Sequence, residues 1–169
     1  MVLPDDLYKL LLAVLVGGLI GAEREFRDKS AGFRTMIFIC IGATFFTIFS
    51  ARLGGTEDPV RIAASIVSGI GFLGAGAIIR SGDKVKGLTT AATIWLVAAL
   101  GMGIGGGQYS AVGVGTVATL IVLWFFPWLE IWIDRTRESR TYEVVCALRF
   151  EKSEELERLF RQHRLKLRG

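Results

Sequence analysis

The sequence has few of the residues on which most catalytic and metal sites depend. It contains one histidine, His163, and two cysteines, Cys40 and Cys146, in 169 residues. The cysteines lack the spacing of metal ligands or of a disulfide framework, and neither has a base beside it in the sequence. Since no nucleophile motif is present either, we predict a protein that is not an enzyme, with His163 an ordinary helix residue of the tail.

Charged residues are scarce in five stretches of the chain. These apolar runs cover about residues 10–22, 35–51, 62–79, 88–107 and 109–129. A soluble domain of this size rarely contains several apolar runs of about 17 or more residues. The sequence therefore predicts an all-α integral membrane bundle of about five transmembrane helices within residues 1–133.

Positive charge is unequal between the two sets of connecting segments. One set has only Lys9, Arg52 and Arg61 near the span ends, whereas the other holds Arg24, Arg27, Lys29, Arg34, Arg80, Lys84, Lys86, Arg135, Arg137 and Arg140. Because positive residues stay in the cytoplasm, we predict that the amino terminus is outside and the carboxyl-terminal tail is cytoplasmic. Basic residues at membrane edges fit anionic lipid headgroups, so we expect membrane lipids as partners and no nucleic acid.

The first apolar run is too short to span a bilayer by itself. Only 13 residues separate Lys9 from Glu23, which is about 20 Å of helix, so the span must extend into Glu23 and Arg24. Two interpretations remain open. Glu23 and Arg24 are shielded by other helices and paired there, or they form an ordinary helix end with the i,i+4 pairs Glu23–Arg27 and Arg24–Asp28.

At the predicted cytoplasmic ends of the spans, polar residues from separate parts of the sequence lie at the same depth in the membrane. Thr89 or Thr90 would cap the fourth helix, whose N-terminus attracts a carboxylate or an external anion. Arg34 is badly placed for the dipole of the second helix, which a nearby carboxylate or lipid phosphate would explain. The predicted polar cluster consists of Glu23, Arg24, Glu25, Arg34, Thr35, Arg80, Thr89 and Thr90.

A magnesium site is a weak alternative for the same cluster. Mg²⁺ keeps several waters and needs only one or two carboxylates from a protein, and Glu23, Glu25 and Asp28 are available. The neighbouring arginines oppose a cation, which favours a structural salt-bridge network. We therefore expect no cofactor, with Mg²⁺ kept as the alternative.

The third apolar run gathers small residues on one side of a helix, namely Ala64, Ser65, Ser68, Gly69, Gly71, Ala75 and Gly76. Small residues let membrane helices approach closely, so we predict that this helix is central and the most enclosed, touching two neighbours or another protomer. Gly17-x-x-x-Gly21 and Gly101-x-x-x-Gly105 offer further close contacts. The predicted packing residues are Gly17, Gly21, Gly69, Gly71, Phe72, Gly74, Gly76 and Gly87.

Residues 134–169 differ in pattern from the apolar part. Thr141–Phe150 alternates as a strand does, with Cys146 on its apolar face. Ser153 would then cap a helix with an apolar stripe formed by Leu156, Leu159, Phe160 and Leu167. Such a short βα unit cannot bury these faces alone, so either the chain stops partway through a domain or the faces pack on another subunit.

Three segments carry a resemblance to a known family: Gly17–Thr35 (GGLIGAEREFRDKSAGFRT), Arg61–Arg80 (RIAASIVSGIGFLGAGAIIR) and Val85–Trp95 (VKGLTTAATIW). In order, spacing and charge placement they resemble the motif blocks of the MgtC/SapB family, over roughly residues 7–125. The resemblance implies a multi-pass protein of the bacterial inner membrane. It also implies that the tail is the opening βα unit of a truncated, ACT-like cytoplasmic domain.

The resemblance further implies a function linked to adaptation to low magnesium and, in pathogens, to virulence. It implies regulation of other membrane proteins, including the F-type ATP synthase, and homo-oligomers or docking through the small-residue faces. A small transporter of Mg²⁺ or another ion, with the Glu23 cluster as its inner gate, remains the alternative. The family motifs fall on Glu23, Arg24, Arg34, Thr35, Gly69, Gly71, Gly74, Arg80, Gly87, Thr89 and Thr90.

Overall fold

The computed structural model describes residues 4–53, 59–82 and 84–136. Most of this part belongs to one compact unit, residues 1–133, and residues 134–169 form a second unit. The predicted strand at Thr141–Phe150, the helix after Ser153, and Cys146 and His163 lie outside the described residues.

The described residues form five helices, as expected for an all-α bundle. In chain order they are α1 (Pro4–Phe26), α2 (Phe33–Leu53), α3 (Pro59–Gly76), α4 (Leu88–Gly105) and α5 (Tyr109–Thr136). A small antiparallel hairpin that the sequence did not predict connects α3 to α4. Its strands are β1 (Ile79–Ser81) and β2 (Lys84–Lys86), with Ile79 opposite Lys86.

Three of the helical segments in the described part are long and apolar enough to cross a membrane: Phe33–Leu53, Leu88–Gly105 and Tyr109–Trp132. A shorter apolar segment covers Ala64–Gly76 of α3. The chain is accordingly a membrane protein. The total of five spans and the orientation of the bundle stay predictions.

Two glycines of α1 allow that helix to lie directly against α2. A Cβ atom at Gly17 would be 2.8 Å from the carbonyl oxygen of Met36, and one at Gly21 would be 2.8 Å from the Cα of Phe33. Carbon atoms do not approach backbone atoms this closely, so only glycine fits at either position. The spacing of four residues places both glycines on one face of α1.

The contact between α2 and α4 lies at the centre of the bundle. A Cβ atom at Gly105 would be 2.6 Å from the Cβ of Thr47, and one at Gly101 would overlap the carbonyl oxygen of Cys40. The buried Thr44 hydroxyl donates a hydrogen bond shared between the carbonyls of Cys40 (2.8 Å) and Gly101 (2.9 Å). The core around this crossing is apolar and fully buried, and it includes Met36, Val97 and Ile104.

The prediction that α3 is the most enclosed helix is wrong for the chain by itself. No atom of the described residues lies within 4 Å of where a Cβ would stand on Gly69, Gly71 or Gly76. Phe72 is 82% exposed. Of the predicted packing residues of α3, only Gly74 is buried, and a Cβ atom placed on it would stand 3.7 Å from the Cβ of Ala91 in α4. The reason is that α2 and α4 pack on each other at the centre of the bundle, so α3 lies beside this pair, against α4 and α2, with its remaining sides uncovered.

Candidate functional site

Glu23 and Arg24 lie in the last turns of α1 and are only 3% exposed each. The prediction that other helices shield them is confirmed. The alternative i,i+4 pair Glu23–Arg27 forms as well, with 2.6 Å between Arg27 Nε and Glu23 Oε1. Ionised groups inside a membrane protein are costly and usually serve a purpose, which makes this the strongest candidate site in the described part.

The buried charges tie α1 to α4. Arg24 Nη2 donates a hydrogen bond of 2.9 Å to the hydroxyl of Thr90, in the first turn of α4. Arg24 Nη1 lies 3.7 Å from Glu23 Oε2. We call Glu23, Arg24, Arg27 and Thr90 the ionic cluster, and its one carboxylate faces two guanidinium groups.

Ion pairs hold Glu23 in the ionic cluster. Within the described residues, the two carboxylate oxygens of Glu23 have no hydrogen-bond partner. The Nε of Arg24 has none either. Glu23 is accordingly held by its ion pairs with Arg27 and Arg24. A buried charge held in this way depends strongly on its ionic partner.

Glu25 has a role separate from the ionic cluster. Its side chain is exposed, and Oε2 accepts a hydrogen bond of 3.0 Å from the backbone N–H of Phe33, the first residue of α2. A carboxylate at a helix N-terminus satisfies a free N–H group and opposes the helix dipole. Glu25 thus stabilises the start of α2, the end of the helix at which Arg34 is unfavourably placed.

The other predicted polar residues lie apart from the ionic cluster. Arg34 and Thr35 are exposed in the first turn of α2, where they line a polar cavity with Lys29. Arg80 is exposed in the hairpin, and its Nε donates to the carbonyl of Gly82 at 3.1 Å. The structure therefore unites Glu23, Arg24 and Thr90 but leaves Arg34, Thr35 and Arg80 outside.

The prediction that Thr89 or Thr90 caps α4 is wrong. The N-cap is Gly87, with φ 93° and no side-chain hydrogen bond at the cap. A Cβ atom there would overlap the carbonyl oxygen of Ala77, so the close return of the hairpin requires glycine. The helix consequently begins at Leu88, before either threonine, and Thr90 is left to accept the bond from Arg24.

The three carboxylates considered for Mg²⁺ do not converge. Glu23 faces arginines and Glu25 binds the start of α2, whereas Asp28 is exposed in a turn with φ 51°. The described residues contain no group of three or more histidine, cysteine, aspartate or glutamate side chains placed to hold a metal ion.

An ion pair at the other end of the bundle was not foreseen from the sequence. Asp6 near the start of α1 is 5% exposed, and Arg52 Nη2 near the end of α2 lies 2.7 Å from both of its carboxylate oxygens. The opposite charges of Asp6 and Arg52 could have indicated this pair from the sequence. Two antiparallel helices joined by a short loop place the start of one beside the end of the other, and these residues carry opposite charges.

Replacing Asp6 by asparagine should lower the free energy of unfolding by about 1–2 kcal/mol, because a charge-assisted hydrogen bond to a buried carboxylate is lost. Denaturant titration of the purified protein would measure the change. Asp5→Asn is the matched control, since Asp5 is 63% exposed and pairs only within α1, with Lys9; its cost should stay below about 0.5 kcal/mol. Equal costs for the two variants would contradict a stabilising role of the Asp6–Arg52 pair.

Known proteins share the segments that build this site. The sequence model of the MgtC family matches residues 10–132. Protein MgtC of Brucella abortus (strain 2308) is 51% identical over 110 residues, which are 65% of this chain and 46% of that protein. Protein MgtC of Salmonella typhimurium (strain LT2) is 50% identical over 114 residues, 68% of this chain and 48% of that protein.

The chain spans about half the length of these curated relatives. No solved structure is significantly similar to it. The matched region begins at residue 10, in the second turn of α1, ends at residue 132 in α5, and includes every residue of the ionic cluster. On this match and on the identity with two proteins named MgtC, the chain belongs to the MgtC family.

Proposed function

We propose that this chain is a non-enzymatic protein of the bacterial inner membrane, with its tail in the cytoplasm, that acts by binding other membrane proteins or further copies of itself. Its role would lie in adaptation to low magnesium, as the names of its relatives and the family resemblance suggest. In pathogens this role would extend to virulence, and the F-type ATP synthase is one candidate partner. The observation that carries the proposal is the uncovered small-residue side of α3.

That side of α3 suits contact with another helix. Gly71 and Gly76 leave backbone accessible along the exposed side of the helix, and Phe72 projects between them. In a membrane, helices associate through close van der Waals packing because burial from lipid gives no hydrophobic gain. A face of glycines with one projecting ring offers such packing to a partner with a matching recess.

A small ion transporter is the second candidate, and the burial of Glu23 favours it. Carboxylates inside membrane proteins often mark ion or proton pathways. Here, however, Glu23 is engaged by Arg27 and Arg24, so a transported cation would have to displace two guanidinium groups. This arrangement supports a structural ionic cluster over an ion gate.

Leucine at Gly71 or Gly76 should reduce partner binding about tenfold or more, since loss of close packing worth about 1.4 kcal/mol has that effect. The measurement is quantitative pull-down from native membranes, scored for ATP synthase subunits and for a second, differently tagged copy of the chain. Gly113→Leu on α5 is the control, because Gly113 also has open space around it. An equal loss with Gly113→Leu, or none with the α3 variants, would contradict the proposal.

Ion flux separates the two candidate functions. Liposomes that contain the purified protein and an internal magnesium-sensitive dye should show no more Mg²⁺ entry than empty liposomes. Entry that depends on the protein and is abolished by Glu23→Gln would establish the transporter instead.

A further inference from the structure

Two cavities lie next to each other on the side of α2 that faces away from the core of the bundle. One is an apolar groove of about 620 Å³ between α2 and α3. The other is a polar cavity of about 700 Å³ at the α1–α2 loop. Thr35 and Phe38 line both cavities, so the polar cavity adjoins the Thr35 end of the apolar groove, and we treat the two together as a composite site. Each volume is in the range of sites for small molecules, about 300–1,000 Å³.

The polar cavity carries the charge for an anion. Lys29 and Arg34 line it together with the hydroxyl groups of Ser30 and Thr35. Its one carboxylate, Glu25, is turned to the backbone N–H of Phe33, and no described carboxylate forms an ion pair with Arg34. Lys29 and Arg34 therefore leave a net positive charge at the mouth of the site.

The apolar groove has the length of one lipid leaflet. On α2 its lining extends from Thr35 to Phe46, a distance of about 17 Å at 1.5 Å per residue. Half of a bilayer hydrocarbon core is about 15 Å thick. Gly42 and Gly69 line the groove, and a Cβ at either position would meet nothing within 4 Å in the described part, so no side chain fills the groove there.

We propose that this composite site binds one anionic phospholipid. The phosphate lies between Lys29 and Arg34 and accepts hydrogen bonds from Ser30 and Thr35, and one acyl chain lies along the groove between α2 and α3. A free phosphate ion would leave the groove unused, and a partner helix would leave the two basic side chains without a counter-charge. By the predicted orientation the lipid belongs to the cytoplasmic leaflet, whose anionic lipids attract basic residues.

Native mass spectrometry of the delipidated full chain tests the proposal, with phosphatidylglycerol or phosphatidylcholine added back at equal concentration. Phosphatidylglycerol should be retained preferentially, at one molecule per chain. Arg34→Gln should lower that preference about fivefold, the equivalent of about 1 kcal/mol for one basic side chain near the headgroups. Gly42→Leu should lower retention of both lipids, because its side chain fills the groove.

Lys86→Gln is the control for charge, since Lys86 is an exposed basic residue of β2 outside both cavities. It should retain lipid as the unaltered chain does. Equal retention of the two lipids, or equal effects of Arg34→Gln and Lys86→Gln, would overturn the proposal. Undiminished retention by Gly42→Leu would overturn it as well, because the acyl chain would then lie elsewhere.

Discussion

Replacing Glu23 by glutamine is expected to lower the free energy of unfolding by about 3–5 kcal/mol, the usual cost of removing one partner from a buried ion pair. The variant keeps the shape of the side chain but leaves Arg24 buried with a full positive charge. The hydroxyl of Thr90 then remains as its hydrogen-bond partner in the described part. Arg27, which is partly exposed, can turn to water at little cost, so the penalty arises mainly at Arg24.

Denaturant titration in mixed micelles would measure this loss, and the double variant Glu23→Gln, Arg24→Gln would locate its origin. If the penalty is an uncompensated charge, the double variant should be more stable than the sum of the single changes predicts, by about 1–3 kcal/mol. Asp5→Asn removes a carboxylate from the same helix at an exposed position and should cost little. A Glu23→Gln variant as stable as Asp5→Asn would contradict a stabilising role of the ionic cluster.

The first turn of α4 takes part both in the ionic cluster and in the packing of α3 against α4. Thr90 accepts the hydrogen bond from Arg24 of α1, and the next residue, Ala91, is the one that Gly74 of α3 contacts. One turn earlier, the hairpin brings the carbonyl of Ala77 against Gly87. The carbonyl of Gly87 accepts a hydrogen bond of 2.9 Å from the backbone N–H of Ala91. The first turn of α4 therefore joins the charged end of α1 to the helix with the uncovered face.

The sequence predicted the helices well because apolar length is a property of each segment alone. The run at 35–51 lies inside α2, and the charged extension of the first run lies inside α1. The same reasoning made the burial of Glu23 one of two open interpretations, since 13 apolar residues are too few to span the bilayer. Signals of this kind require no knowledge of how the helices are arranged.

The errors concern contacts between segments. Small residues show that a helix can be approached closely, but not which neighbour approaches. The pattern therefore predicts α3 at the centre that α2 and α4 in fact occupy. The cap at Gly87 depends on the position of the Ala77 carbonyl, which the hairpin sets. The contact between Asp6 and Arg52 likewise depends on α1 and α2 being antiparallel neighbours.

Replacing Gly101 by alanine should destabilise the bundle by about 2–3 kcal/mol. The added methyl group would overlap the carbonyl oxygen of Cys40 and stand 2.9 Å from the Cβ of Ala43, so α2 and α4 would have to separate. Overpacking of a tight contact usually costs about 1–3 kcal/mol. Separation would also weaken the bond that the Thr44 hydroxyl donates to the Gly101 carbonyl.

Gly113→Ala distinguishes overpacking from the general effect of alanine in a helix. Gly113 lies within α5, and a Cβ there meets nothing within 4 Å in the described residues. Alanine favours helix over glycine by about 1 kcal/mol, so this variant should be as stable as the unaltered chain or slightly more stable. The same denaturant titration compares the two. If Gly101→Ala proved no less stable than Gly113→Ala, the close crossing of α2 and α4 could not be the contact that holds the bundle together.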